Sequence, residues 1–122
     1  MNDHTKHTVV AFGEVLWDLL PTGPLIGGAP FNFANRMAEL GQKSRIVSRL
    51  GKDELGKKAL DRIRELHLTT GFVQEDEHHP TGTVEVFLDE NKNPDYTIIP
   101  DVAYDYITYT EPLKDLMKEA VC

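Results

Sequence analysis

Strand-like and helix-like segments alternate along the first two thirds of this 122-residue chain. An apolar, β-branched run at residues 8–12 ends at a glycine, and a second run follows at residues 43–50. Residues 30–40 and 53–66 place apolar side chains at helical spacing, and a weaker strand is indicated at residues 72–73. The order β-α-β-α-β is typical of a parallel sheet covered by helices, so we predict an α/β fold.

The period of the sequence changes after residue 80. Residues 83–89 alternate between apolar and polar side chains, and a turn at residues 91–94 leads to a second strand at 96–99. Alternation on both sides of a short turn predicts a β-hairpin. Its first strand would direct three apolar side chains to one face, those of Val84, Val86 and Leu88.

Two further segments flank this hairpin. The charged residues at 75–80 are interpreted as a turn, because carboxylates and a proline follow one another there. Thr110 stands before leucines at helical spacing and is predicted to be the N-cap of a last helix.

Composition excludes several classes of protein. Acidic side chains outnumber basic ones by 20 to 13, and no basic cluster suggests a nucleic-acid partner. No apolar run approaches the roughly 18 residues of a membrane span, and the N-terminus carries no apolar signal region. The one cysteine, Cys122, can form no internal disulfide. We therefore expect a cytoplasmic protein with neither a membrane nor a nucleic acid as partner.

Residues 51–58 (GKDELGKK) have the spacing of a phosphate-binding P-loop after a strand. Lys58 stands where a hydroxyl should hold Mg²⁺, and the carboxylates of Asp53 and Glu54 would repel phosphate. We interpret the segment as a strand–turn–helix junction whose acidic helix start suits the helix dipole.

No metal site is predicted. Residues 89–100 begin like a calcium loop but have Pro94 where glycine is required and Pro100 where glutamate is required. The histidines lack the ligand spacing of a metal site and have no cysteine or carboxylate cluster nearby. They are His4, His7, His67, His78 and His79.

The segment from residue 18 to residue 32 carries the strongest chemical signal. Asp18 can accept hydrogen bonds from two neighbouring hydroxyls, and Asn32, in a first helical turn, offers a donor and an acceptor. Gly27 and Gly28 would let a ligand approach the backbone closely. The set suits a polyhydroxylated ligand such as a sugar, although Asp18 and the glycines are equally compatible with plain turns.

Two aromatic residues beside these positions also allow two interpretations. Trp17 and Phe31 could stack on a sugar ring, or they could pack in the core. Packing is the more common role of an aromatic side chain in such a run.

Several separated motifs agree in order with one known family. They are residues 13–18 (GEVLWD), 27–34 (GGAPFNFA), 40–41 (LG), 49–56 (RLGKDELG) and 80–83 (PTGT). Together they resemble the N-terminal signature of the ribokinase–fructokinase family, the PfkB-type carbohydrate kinases, with the fructokinase branch the more similar. The resemblance covers nearly the whole chain.

The resemblance implies a Rossmann-like, ribokinase-type parallel sheet flanked by helices, with a small β lid. Residues 1–122 would form the N-terminal part of such a domain, and its lid strands would lie at about residues 15–26 and 83–99. The family transfers the γ-phosphoryl group of ATP, with Mg²⁺, to a sugar hydroxyl. In many members the lids of two subunits pack together, so a homodimer is expected.

By position, the resemblance implies four sugar-binding residues, Asp18, Gly27, Gly28 and Asn32. Ribokinases have an asparagine where this chain has Leu16, and a lysine where it has Ala29. Both departures favour a hexose such as fructose over ribose.

Two motifs of the family's C-terminal half do not occur in this sequence. One is Asn-x-x-Glu, linked to Mg²⁺ and phosphate, and the other is Asp-Thr-x-Gly-Ala-Gly-Asp, which carries the anion hole and the catalytic base. Phosphoryl transfer needs these groups together. We therefore predict that the 122-residue chain alone has no kinase activity and holds no ATP or Mg²⁺ through identifiable residues. The alternative is a non-catalytic sugar-binding or dimerisation module.

Overall fold

The computed structural model of the chain describes residues 6–122 and contains two sheets flanked by helices. In chain order the elements are β1 (Thr8–Phe12), β2 (Leu16–Leu20), β3 (Gly23–Gly27), α1 (Ala29–Glu39), β4 (Lys43–Gly51), α2 (Glu54–Glu65), β5 (Val73–Asp76), β6 (Gly82–Leu88), β7 (Pro94–Ile98), a 3₁₀ turn (Ala103–Tyr106) and α3 (Glu111–Glu119). His4, one of the histidines considered above, lies outside the described residues.

One sheet is parallel, with strand order β1-β4-β5, and confirms the predicted β-α-β-α-β arrangement. Ile46 and Leu50 of β4 pack with α1 and α2 on one face of this parallel sheet. Val47 packs with Leu113 and Leu116 of α3 on the other face. Because helices cover both faces, the middle strand β4 is the most deeply buried element of the core.

The helices begin and end where local sequence signals predict. Asp53 caps α2 by accepting a hydrogen bond from the Gly56 N–H at 2.8 Å. The Thr110 hydroxyl accepts one from the Leu113 N–H at 3.3 Å and so caps α3. Gly41, just past the end of α1, adopts a φ of 89°, a left-handed conformation that favours glycine at a helix C-terminus.

The second sheet is mixed, with strand order β3-β2-β6-β7. Strands β2 and β3 are antiparallel, β2 and β6 are parallel, and β6 and β7 form the predicted hairpin. Val84, Val86 and Leu88 lie at every second position of β6 and project to one face, as predicted. Val84 and Val86 are buried, whereas the Leu88 side chain is 53% exposed. The pairing of β2 with β6 ends at Glu85, so the tip of the hairpin extends beyond its neighbouring strand.

The structure also corrects the interpretation of residues 72–80. The third parallel strand is Val73–Asp76, so Glu75 and Asp76 belong to a strand and not to a charged turn. A charged side chain is tolerated at the end of this strand because Asp76 forms an ion pair with Arg49 of β4, with 2.8 Å between carboxylate and guanidinium.

Within residues 6–122, no helix has the length and apolar character needed to cross a membrane.

Candidate functional site

The Asp18 carboxylate lies against the backbone of Gly27. Strands β2 and β3 pair so that Leu16 faces Gly27 and Asp18 faces Leu25. A Cβ atom on Gly27 would lie 2.9 Å from Oδ2 of Asp18. Any side chain at position 27 would therefore displace the carboxylate, which is half-buried and accepts no hydrogen bond from a side chain or backbone N–H of residues 6–122.

Gly28 turns the chain from β3 into α1 with a φ of 100°. A Cβ atom there would approach the carbonyl oxygen of Glu14 to 2.6 Å, so both the conformation and the close contact require glycine. The Gly28 carbonyl accepts the Asn32 N–H at 3.0 Å, and the Asn32 side chain is exposed in the first turn of the helix. The structure thus places the four predicted residues on one continuous β2–β3–α1 unit. Asp18 lies beside Gly27, and the Asn32 N–H donates to the Gly28 carbonyl.

The two aromatic residues near this unit belong to the core. The Trp17 indole N–H donates a hydrogen bond to the Leu55 carbonyl at 2.9 Å, and the Trp17 side chain packs against the helix side of the core. Phe31 is only 3% exposed. The packing interpretation is therefore the one that the structure supports for both.

In the segment that resembles a P-loop, the Asp53 carboxylate occupies the start of α2. Asp53 accepts hydrogen bonds from the Thr81 N–H at 2.9 Å and the Thr81 hydroxyl at 2.6 Å, besides that from Gly56. Burial raises the pKa of Asp53, but these hydrogen bonds outweigh it and lower the pKa from its ordinary value. The interpretation as a strand–turn–helix junction is confirmed, since a carboxylate occupies the place where a phosphate would bind.

A second carboxylate cluster was not predicted from the sequence. Asp76 is 2% exposed and accepts hydrogen bonds at 2.8 Å from Arg49 and from the N–H groups of His78 and His79. The His79 ring nitrogen Nδ1 lies 3.0 Å from the same carboxylate, and the ring stacks on Tyr106 with 3.7 Å between centroids. Burial raises the Asp76 pKa, but these partners hold it well below its usual range.

No sequence signal links these residues, because Arg49 and Asp76 are 27 residues apart. They meet only because β4 and β5 are parallel neighbours whose carboxyl ends lie side by side. From the carboxyl end of β5 the chain continues to β6 of the mixed sheet. The cluster therefore stabilises the junction between the two sheets.

A third feature that the sequence did not indicate is the position of Tyr104. A Cβ atom on Gly82 would overlap the Tyr104 ring, whose Cδ2 would lie 2.6 Å away. Tyr104 packs against the buried apolar cluster of the mixed sheet, which contains Leu16, Val84 and Val86.

The start of α2 does not fit a nucleotide phosphate. Within residues 6–122 no three histidine, cysteine, aspartate or glutamate side chains come close enough to hold a metal ion. The α2 N-terminus is occupied by Asp53. A groove of about 610 Å³ between α2 and β5 is lined by Lys52, Lys57 and Arg64 among others, but it contains none of the four predicted sugar-binding residues.

Comparison with known proteins agrees with this architecture. The profile of the pfkB family carbohydrate kinases matches residues 24–119. The uncharacterized sugar kinase PH1459 of Pyrococcus horikoshii is 31% identical over 123 residues, which cover 92% of this chain and 39% of that protein. Fructokinase of Escherichia coli is 33% identical over 114 residues, which cover 86% of this chain and 36% of that protein. The chain therefore spans about two fifths of the length of these curated relatives.

Solved structures are similar over the same region. PH1459 in complex with ATP superposes with a TM-score of 0.79 at 28% identity, covering 92% of this chain and 40% of that one. Fructokinase from Vibrio cholerae, in a form with bound fructose, ADP and calcium ion, gives a TM-score of 0.71 at 27% identity, covering 87% and 36%. The expected ribokinase-type α/β fold is confirmed.

Proposed function

The chain belongs to the pfkB family of carbohydrate kinases, and we propose that it carries the sugar-binding part of an enzyme that phosphorylates a hexose such as fructose. The phosphoryl donor would be ATP with a divalent metal ion, as suggested by the ATP-bound and ADP-bound relatives. The observation that carries this proposal is the Asp18 carboxylate, held beside Gly27 and directed to no partner among residues 6–122.

The proposed site recognises hydroxyl groups. The two oxygens of Asp18 accept hydrogen bonds from adjacent sugar hydroxyls, and the Asn32 amide both donates and accepts. Gly27 lets the Asp18 carboxylate lie against the backbone and Gly28 lets the Glu14 carbonyl do so, because a side chain at either position would collide with these atoms. A carboxylate that accepts two hydroxyls is a stronger acceptor than a neutral group and orients the ring.

A hexose is favoured over ribose by the side chain at position 16. Leu16 is 7% exposed and packs with Val84 and Val86, so it offers no hydrogen bond to a ligand. Fructose bound to the Vibrio cholerae relative supports the same choice.

The two family motifs that are expected to carry the catalytic base and the anion hole do not occur in this sequence, so we propose that the chain binds sugar without transferring phosphate. The test is a coupled assay for ADP with ATP, Mg²⁺ and D-fructose. No sugar-dependent ADP release is expected from the 122-residue chain. Release that depends on fructose would refute this part of the proposal.

We also propose that the mixed sheet acts as a lid and joins two copies of the chain. Leu25, Tyr96 and Ile98 are 58%, 60% and 68% exposed, and pairing register places them on one face. Exposed apolar surface of this kind marks interaction sites.

The cytoplasmic location is likewise a proposal, and it rests on the single cysteine Cys122.

Sugar binding is tested by calorimetric titration of the chain with D-fructose, D-ribose and fructose 6-phosphate. Asp18→Asn should weaken fructose binding ten- to a hundredfold, since hydrogen bonds to charged groups contribute about 1.5–3 kcal/mol. The matched control is Asp95→Asn, because Asp95 is exposed on the opposite face of the same sheet. If wild-type protein and both variants bind fructose equally, or none binds it, the proposed site is wrong.

The amide at position 32 has its own matched pair on α1. Asn32→Ala should weaken fructose binding roughly fivefold through loss of neutral hydrogen bonds. Asn35→Ala, one turn further along, should not, because the Asn35 amide donates to Glu39 at 3.3 Å. Equal affinities of the two variants would argue against the role of Asn32.

The homodimer is tested by sedimentation of the wild-type chain and two neighbouring variants. Ile98→Asp should dissociate the dimer by placing a carboxylate in the apolar face. Thr97→Asp should leave it intact, because Thr97 points to the opposite face. A wild-type monomer at high concentration would rule the dimer out.

A further inference from the structure

The face of the mixed sheet that carries Asp18 also carries Gly82. Pairing places Leu16 between Gly27 and Gly82 in one row, and Asp18 between Leu25 and Val84 in the next. Residues opposite one another in a sheet project to the same face, as do residues two apart along a strand. Whatever lies against the Gly82 Cα on its side-chain side therefore lies on the Asp18 face.

The Tyr104 ring occupies that position. A Cβ atom on Gly82 would overlap Cε2 of the ring, and Cδ2 would be 2.6 Å away. Glycine at position 82 thus lets an aromatic ring cover the backbone of β6, one row from the Asp18 carboxylate.

The ring is held from the other side by a well-packed turn. Val102 and Ala103, which precede Tyr104, are 1% and 0% exposed, and the Ala103 N–H donates to the Pro80 carbonyl at 2.7 Å. The ring also contacts the buried Leu16 cluster. Its place on the sheet is therefore determined by packing.

The hydroxyl of Tyr104 remains available. The side chain is half-buried, and its hydroxyl has no hydrogen-bond partner within residues 6–122. Burial raises the pKa of Tyr104, and the carboxylates of Asp105 and Glu14 raise it further, so the phenol stays protonated and can donate.

We propose that Tyr104 contacts the sugar directly and helps to determine specificity, with its ring packed against the C–H face of the sugar and its hydroxyl donating to a sugar oxygen. This inference rests on the proposed function, because it assumes that the ligand binds beside Asp18. It adds an apolar wall to a site that otherwise consists of a carboxylate, an amide and glycine backbone. A wall of that kind distinguishes ring forms by shape, whereas Asp18 recognises only adjacent hydroxyls.

The first experiment uses the wild-type chain with ¹³C-labelled tyrosine rings. The resonance of Tyr104 is assigned by its absence in Tyr104→Phe, and D-fructose is then titrated. Saturable movement of this resonance is expected, whereas that of Tyr109, which is 70% exposed outside the mixed sheet, should stay unchanged. An unmoved Tyr104 resonance, in a sample where fructose binds, overturns the inference.

Variants then separate the ring from the hydroxyl. Tyr104→Phe should weaken D-fructose binding about fivefold, and Tyr104→Leu about tenfold or more, with loss of the upfield shift that a ring imposes on bound sugar protons. Tyr109→Leu is the matched control and should bind fructose as the wild type does. Wild-type affinity of both Tyr104 variants overturns the inference. Cooperative urea unfolding of each variant shows that it is folded.

The two proposals fail in different ways. If Asp18→Asn abolishes fructose binding but the Tyr104 resonance and both Tyr104 variants are unaffected, only the role of Tyr104 is wrong. If fructose binds with no sensitivity to Asp18, or does not bind at all, the proposed sugar site itself is wrong.

Discussion

Strands β4 and β7 show how differently the two sheets treat apolar side chains. In β4, the middle strand of the parallel sheet, Ile46, Val47 and Leu50 are each 1% exposed, because helices cover both faces. In β7, the edge strand of the mixed sheet, every residue is exposed, including Ile98 at 68%. Similar side chains therefore stabilise the fold in one sheet and remain available for contacts in the other.

Polar clusters connect the two sheets. Asp53 of the α2 start binds Thr81, the residue just before β6. Asp76 at the end of β5 binds Arg49 and the His79 ring. The mixed sheet is thus joined to the parallel sheet through hydrogen-bonded carboxylates, whereas its edge strand β7 is exposed along its whole length.

The largest effect is expected from a matched pair of isoleucines. Ile46→Ala should lower the free energy of unfolding by about 2–5 kcal/mol, because it leaves a cavity between β4 and the helices. Ile98→Ala should change it by less than about 0.5 kcal/mol, since that side chain is mostly exposed. Urea unfolding measures both, and similar losses for the two variants would show that the sheets do not differ as described.

Alanine substitutions at two glycines test how tightly the start of α2 packs at the junction between the two sheets. A Cβ atom on Gly56 would overlap the Gly51 carbonyl oxygen, and backbone cannot move aside cheaply, so Gly56→Ala should cost about 1–3 kcal/mol. Gly71→Ala is the control, because its Cβ would meet only the Thr69 hydroxyl at an ordinary 3.5 Å. Equal stability of the two variants in urea would contradict the tight packing at position 56.

The smallest effect is expected in the pH dependence of stability. Because the pKa of folded Asp76 lies below its unfolded value of about 3.9, its contribution to stability is complete above about pH 5 and is lost as the pH falls below that. Melting temperature should therefore fall between about pH 5 and pH 2. Asp76→Asn should melt lower at pH 7 and show a shallower acid decline.

Part of the acid decline should persist in Asp76→Asn, since the lowered pKa of Asp53 acts in the same direction. The exposed residue Asp115 provides the control, and Asp115→Asn should follow the wild-type curve. An acid decline as steep in Asp76→Asn as in the wild type would show that the Asp76 cluster contributes nothing.

Much of the fold was predictable from short-range signals. The cap residues Asp53 and Thr110 and the terminating glycine Gly41 mark helix ends correctly, because caps act within one turn of the backbone. Strand β5 was placed too early, because the burial of Asp76 depends on a partner in another strand. The exposure of Leu88 was not predictable from the sequence for a related reason, since alternation reports the face of a strand and not where its neighbour ends.

The four predicted site residues come from motifs that lie close together in the sequence, and β2, β3 and α1 keep them adjacent. Tyr104 and the Arg49–Asp76 pair reach their positions only through long-range packing.

The sequence by itself determined the α/β class, the helix ends and the hairpin, because these depend on local backbone preferences and side-chain period. Only the tertiary structure decided which strands lie side by side, which carboxylates are buried with partners, and which apolar face stays uncovered. Those outcomes depend on contacts between residues far apart in the chain, and no local pattern specifies them.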